Sequence, residues 1–189
     1  MSAPANRLAP ALLLVWGLAA TAFVGMGMLP RMPVYPPVFV GLGILLCLIF
    51  LVFVPGFAAW MKTVDIRWIL AFHLVRFVGI YFLILASQGR LELLFARSAG
   101  IGDIITAVGA VLLLLVPALR EGKALLWWNL FGFADILLVV FNAARVVLTT
   151  PEQFREFFHL PLGILPTFVV PVIIVSHVVV FFRLRRAAA

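Results

Sequence analysis

The sequence predicts an all-α, polytopic membrane protein with six transmembrane helices and both termini cytoplasmic. At 66% hydrophobic and 11% charged, its 189 residues are far more apolar than those of soluble domains, which run to about 45–50% apolar and about 25% charged. The apolar residues gather in six continuous runs, 8–29, 37–54, 67–87, 99–119, 124–147 and 161–182, each near the roughly 20 residues that cross a bilayer as a helix. None alternates as a barrel strand does, and a backbone in hydrocarbon satisfies its hydrogen bonds only in a helix or a closed barrel. The runs consume the chain, so residues 1–189 are expected to form a single helical bundle.

The first run is too long for the roughly 7–15-residue apolar stretch of a cleaved leader and is expected to remain as a signal anchor. Six spans put alternate connections on opposite sides. One side then carries Arg7, Lys62, Arg67, Arg120, Lys123, Arg183, Arg185 and Arg186, and the other Arg31, Arg90, Arg97, Arg145 and Arg155. The richer side is cytoplasmic by the positive-inside rule, and Trp60, Trp68, Trp127 and Trp128 fall at that same interface. The net charge of +7 therefore reads as topology-setting charge with attraction for anionic lipid, and nucleic acid is not an expected partner. In the second run lies Cys47, the only cysteine, so no intramolecular disulfide and no thiolate metal cluster can form.

The third run brings the first intramembrane charge. His73 and Arg76 lie one turn apart on one face, and the fifth run carries Asn129, Gly132, Asp135, Asn142 and Arg145 along one stripe. A charge in hydrocarbon is costly unless paired, so the two stripes are expected to face each other. Counted at 1.5 Å per residue from the cytoplasmic ends, Arg76 and Asp135 each sit roughly 13–17 Å deep in a core of about 30 Å. They are expected to pair in a buried polar centre with Asn129 and Asn142. In the fourth run, Asp103 stands one turn from the outer start, level with Arg145, and a second, outer ion pair is expected there. Gly100-Ile101-Gly102-Asp103 and Gly132-Phe133-Ala134-Asp135 are alike; on antiparallel helices this is an inverted repeat of the kind that builds transporter sites.

Between the last two runs, Thr150-Pro151-Glu152-Gln153 reads as a capped helix start, giving an interfacial helix over about 151–159 with Phe154, Phe157 and Phe158 on one face. The sixth run holds Pro161, Pro166 and Pro171, which should bend it, with Thr167 and Ser176 placed to compensate freed carbonyls. It also carries His177. His73 and His177 each lie roughly 8–10 Å below the cytoplasmic surface, and two level imidazoles on different helices can ligate a b-type haem. That makes an electron-transfer protein, with quinone as a partner, the sharpest functional expectation. The alternatives are a small ion-coupled transporter or channel, and a non-catalytic accessory or assembly subunit whose ion pairs are structural, working as a homo-oligomer or with other membrane subunits. No metal-ion site is expected from three histidines, with His159 on the outer side. No phosphate loop, HExxH or nucleophile elbow occurs, so hydrolysis is not expected.

Leu70-Ala71-Phe72-His73-Leu74-Val75-Arg76-Phe77-Val78-Gly79, then Gly89-Arg90-Leu91, Phe95-Ala96, Ala99-Gly100-Ile101-Gly102-Asp103-Ile104 and Leu165-Pro166-Thr167-Phe168-Val169-Val170-Pro171 with His177, resemble a group of uncharacterised bacterial inner-membrane proteins over about residues 68–183. The resemblance implies a bacterial inner-membrane location and carries over no catalytic role.

Overall fold

The computed structural model describes residues 5–32 and 35–187, without the side chains of residues 5–7, 55, 58 and 187; Arg7 thus lies outside the described side chains. Among the described residues every regular element is helical and no strand occurs. Six helices are long and apolar enough to cross a membrane: Leu8–Gly25, Pro36–Phe53, Ile66–Ser87, Leu93–Leu115, Gly122–Thr149 and Leu165–Arg186.

Prolines and caps explain where they stop and start. Helix α1 spans Ala5–Gly25 and α2 spans Pro36–Phe53. The latter ends because Pro55 drives Val54 out of helical geometry, to φ −114° and ψ 91°. A further helix, α3, Pro55–Thr63, begins on that proline and fills a connection expected to be irregular. The third apolar run is built of α4, Ile66–Phe72, a 3-10 stretch His73–Phe77, and α5, Val78–Ser87. Asp65 caps α4 by accepting the Arg67 N–H at 2.8 Å.

Helix α6, Leu93–Leu115, sits a full turn or more before the expected 99–119. Glu92 caps it, its carboxylate accepting the Phe95 N–H at 2.5 Å, and at the other end Pro117 holds Val116 extended. Arg120 folds back to donate to the carbonyls of Leu113 and Leu114, at 2.8 and 2.5 Å, which the helix end leaves without partners. Helix α7 spans Gly122–Thr149. The segment expected as a capped interfacial helix is a 3-10 helix, Pro151–Phe158, in which Phe154 and Phe157 are buried. Its expected side-chain cap does not form. The Gln153 N–H bonds the Thr150 carbonyl at 3.0 Å, while the Thr150 hydroxyl has no partner. In the last run a π-helical turn, Leu165–Val169, precedes α8, Val170–Ala187. Pro166 and Pro171 each sit at the start of a stretch, where a missing N–H is tolerated, and the Thr167 hydroxyl donates to the Gly163 carbonyl at 2.8 Å.

The chain divides into two compact units. The first comprises Met1–Val64 with Arg155–Val175, and the second Asp65–Phe154 with Ser176–Ala189. Aromatic and small residues knit the first. Trp16 meets Phe168 edge-on with ring centres 5.1 Å apart, and a Cβ at Gly43 would lie 2.5 Å from Pro171 Cγ. The second is built on α6. There Gly79 of α5 and Gly100 of α6 bring backbone against backbone, so that a Cβ on Gly100 would stand 2.8 Å from the Gly79 carbonyl oxygen. Close approach of this kind is what small residues provide between packed helices.

Candidate functional site: a shared guanidinium beside a histidine pair

All of the candidate residues lie in the second unit. The 3-10 stretch places His73 and Arg76 on one edge, because residues three apart eclipse in that geometry. Both are buried, Arg76 at 1% exposure. Arg76 spreads its donors over three acceptors on two helices: Nε reaches Asp103 Oδ1 at 2.6 Å, Nη1 the Gly132 carbonyl at 3.0 Å, and Nη2 the Asp135 Oδ2. The sequence-predicted Arg76–Asp135 pair is therefore present, with a second carboxylate that was assigned elsewhere.

Asp103 meets Arg76 and not Arg145, and the reason is the position of the helix start. With α6 beginning at Leu93, Asp103 stands ten residues in, roughly 15 Å along the axis, which is a mid-helix depth. Arg145 instead donates to Glu92 at 3.1 Å and to Asn142 at 3.5 Å, and Asn142 donates to Ser98 at 3.4 Å. Asn142 thus belongs to this half-buried cluster at the far end of α7, two turns away from Asp135 rather than beside it. Small residues make room at the centre. Any side chain on Gly102 would overlap the Asp135 carboxylate, and the two similar segments noted in the sequence each deliver one aspartate to the same guanidinium.

The histidines adjoin this triad. Their ring centres are 4.5 Å apart, inclined at 61°. Asn129, fully buried, donates from Nδ2 to the His177 carbonyl at 3.1 Å, and this orients its Oδ1 to accept from His177 Nδ1 at 2.8 Å. The amide thereby selects the tautomer with hydrogen on Nδ1 and leaves Nε2 a bare lone pair. His73 Nε2 lies 2.9 Å from the Ser176 hydroxyl. The second nitrogen of each ring, His73 Nδ1 and His177 Nε2, is buried without a hydrogen-bond partner. Gly132 joins the two groups: its carbonyl takes Arg76, while a Cβ there would lie 2.7 Å from His177 Cε1.

Trp128 was grouped with the interfacial indoles, yet it turns inward at 8% exposure, whereas Trp68 and Trp127 remain exposed. Its ring centre is 5.0 Å from that of His73 and 5.5 Å from that of His177, and its Nε1 donates to the Thr106 carbonyl at 3.0 Å. The signal was available, since Trp128 precedes Gly132 by four positions and Asp135 by seven, which is the same helical stripe. Gly109 accommodates it, a Cβ there falling 2.7 Å from the indole Cδ1. His159 is exposed and belongs to the first unit.

Fold and site together define an all-helical protein of six long apolar helices with a charged and imidazole-lined interior in one of its units. The chain belongs to the family described as a domain of unknown function (DUF8737), which it matches over residues 33–185. No curated protein and no solved structure matches it.

Proposed function

We propose that this chain is an integral protein of a bacterial inner membrane, with six spans and both termini cytoplasmic, and that it works as a small ion-coupled carrier. The observation that carries the reading is that one buried guanidinium holds two buried carboxylates. Such a triad has one negative charge in excess, and apolar surroundings do not tolerate an uncompensated charge. It closes neutral when it takes up one monovalent cation, and exchanging that cation between two sides is what couples a carrier to an ion gradient. The inverted pair of Gly-containing segments that supplies Asp103 and Asp135 supports the same reading. So does the 3-10 stretch at Arg76, since mid-helix tightening of this sort recurs at hinges. The greater basic count on the side of Lys62, Arg120 and Arg183 supports the orientation, and the 3-10 helix Pro151–Phe158 then lies at the outer face.

The b-type haem expected from histidine depth fits the site less well. Two metal–nitrogen bonds of about 2 Å on opposite faces of an iron, with the ring radii added, set imidazole centres about 6 Å apart, and here they are 4.5 Å apart.

The test is reconstitution of the full chain in sealed vesicles with an imposed pH or cation gradient, followed by internal pH and ion content. Flux that disappears in Asp135→Asn is the expected result. Flux that is absent from the native chain, or indifferent to Asp135→Asn, would overturn the proposal.

A further inference from the structure

We infer that the cation taken up beside Arg76 is a proton, and that Asp103 and Asp135 hold it between them as a single carboxylic acid. The inference rests on the carrier reading above and names its coupling ion. Three observations carry it.

The oxygens that a metal cation needs are already engaged. Intramembrane sites for sodium or potassium draw on backbone carbonyls released where a helix unwinds or breaks. Here α6 and α7 run unbroken past the aspartates, over Leu93–Leu115 and Gly122–Thr149, so their carbonyls take the N–H groups of the following turn. Two of those carbonyls carry a further donor: Gly132 takes Arg76 Nη1 at 3.0 Å, and Gly102 takes the Thr106 hydroxyl at 2.9 Å. A carbonyl oxygen has two lone pairs, and both are then in use. Among the described residues no group of three or more His, Cys, Asp or Glu is placed to hold a metal ion.

The histidines do not compete for the proton. His177 Nδ1 keeps its hydrogen against Asn129 Oδ1 at 2.8 Å, and His73 Nε2 meets the Ser176 hydroxyl at 2.9 Å. The remaining nitrogens, His73 Nδ1 and His177 Nε2, are buried with no partner. A second hydrogen on either ring would make a buried cation that donates to nothing, which apolar surroundings penalise. Both rings stay neutral, and the carboxylates are left as the seat.

Charge then fixes the number of protons. Arg76 from the 3-10 stretch meets Asp103 from α6 and Asp135 from α7, one positive charge against two negative, with the neutral His73 and His177 beside them. Neighbouring carboxylates oppose each other's ionisation, and one proton brings the cluster to zero charge. Uptake forms one O–H bond on a carboxylate oxygen and turns that group into the neutral acid. Release breaks the same bond and returns the proton to water, and no electron moves. The proton belongs to the pair, since both carboxylates bond the same guanidinium.

The experiment uses the full chain in lipid vesicles, carrying 13C in the carboxyl groups of its aspartates, with infrared spectroscopy at neutral pH. Asp65, Asp103 and Asp135 are its only aspartates, and Arg67 holds Asp65 ionised through side-chain bonds of 2.9 and 2.7 Å. One protonated and two ionised aspartates are the expected result, with the acid signal unchanged by added sodium or potassium chloride. The signal should vanish in both Asp103→Asn and Asp135→Asn, because each leaves one carboxylate to one guanidinium. Three ionised aspartates in the native chain, an acid signal that sodium or potassium removes, or a signal that survives either substitution would overturn the inference. If flux needs Asp135 and sodium while every aspartate is ionised, the carrier reading stands and the proton falls. If the acid is present but flux ignores Asp135→Asn, the carrier reading falls, and with it the coupling role of that proton.

Discussion

The two units are built on the same helical principle with opposite interiors. Among the described residues, the buried polar side chains are His73, Arg76, Asp103, Thr106, Asn129, Asp135 and His177 in the second unit, and Thr167 in the first. Thr167 is satisfied within its own helix by the Gly163 carbonyl. The first unit thus holds together with Trp16 against Phe168, Gly43 against Pro171 and a buried Phe57, and buries no charged group among its described side chains. What the difference teaches is that packing suffices to associate these helices. The charges of the second unit are then an added expense, because a buried ion pair is often no more stabilising than apolar groups of similar volume. Charge retained where packing would serve is the feature on which the proposed function rests.

The comparison breaks most sharply at Arg76. Replacing it in Arg76→Met strands two carboxylates in an apolar interior, and removal of one partner from a buried pair costs about 3–5 kcal/mol. Thermal unfolding in detergent should show the second unit melting far earlier; an unchanged midpoint would mean that the triad holds no buried charge. Gly102→Val comes next, since its side chain collides with the Asp135 carboxylate. Overpacking costs about 1–3 kcal/mol, and here a loss of Asp135-dependent flux should accompany it. Gly43→Ala sharpens the contrast, as its methyl group would fall 2.5 Å from Pro171 Cγ in the first unit. It should cost toward the lower end of the same about 1–3 kcal/mol, yet leave flux per folded molecule unaltered, and a loss of flux would show that the first unit shares the work.

Arg145→Gln should matter less. The Arg145–Glu92 pair is half-open, with side-chain exposures of 32% and 19%, and exposed pairs contribute about 1 kcal/mol or less. A larger shift in the unfolding midpoint would make it a second core. Smallest is the effect of acid on the α4 cap. Hydrogen bonds from the Arg67 side chain and backbone hold the Asp65 carboxyl below its ordinary range. Its folded value is the lower one, so its contribution is complete above the ordinary carboxylate range and fades as pH falls through the lowered value. The stability difference between the native chain and Asp65→Ala should shrink only under acid, and a difference independent of pH would show that the carboxylate charge plays no part.

Legibility followed the range of the interaction. The depth of Arg76 and Asp135 could be counted from helix rise alone, so their pairing was readable. Asp103 was misplaced because the sequence hides where α6 begins: Glu92 and Arg97 look like loop residues until Glu92 is seen capping Phe95. Trp128 was read by its place near a helix end, when its face on the helix decided its fate. The His73–His177 pair was matched in depth, but depth leaves the distance around the bundle undefined, and only the structure brings the two ring centres to 4.5 Å.

By itself the sequence determined six apolar helices and the need for their few charges to gather, because the period of a helix and the cost of lone charge in apolar surroundings are local facts that composition and spacing carry. Tertiary structure decided who meets whom: that Asp103 joins Arg76, that Asn129 sets the tautomer of His177, and that two imidazoles stand 4.5 Å apart. Those outcomes turn on how far each helix is rotated and how closely glycines such as Gly79, Gly100 and Gly102 let neighbours approach. Rotation and approach are properties of packed pairs of helices, and no single run of residues encodes them.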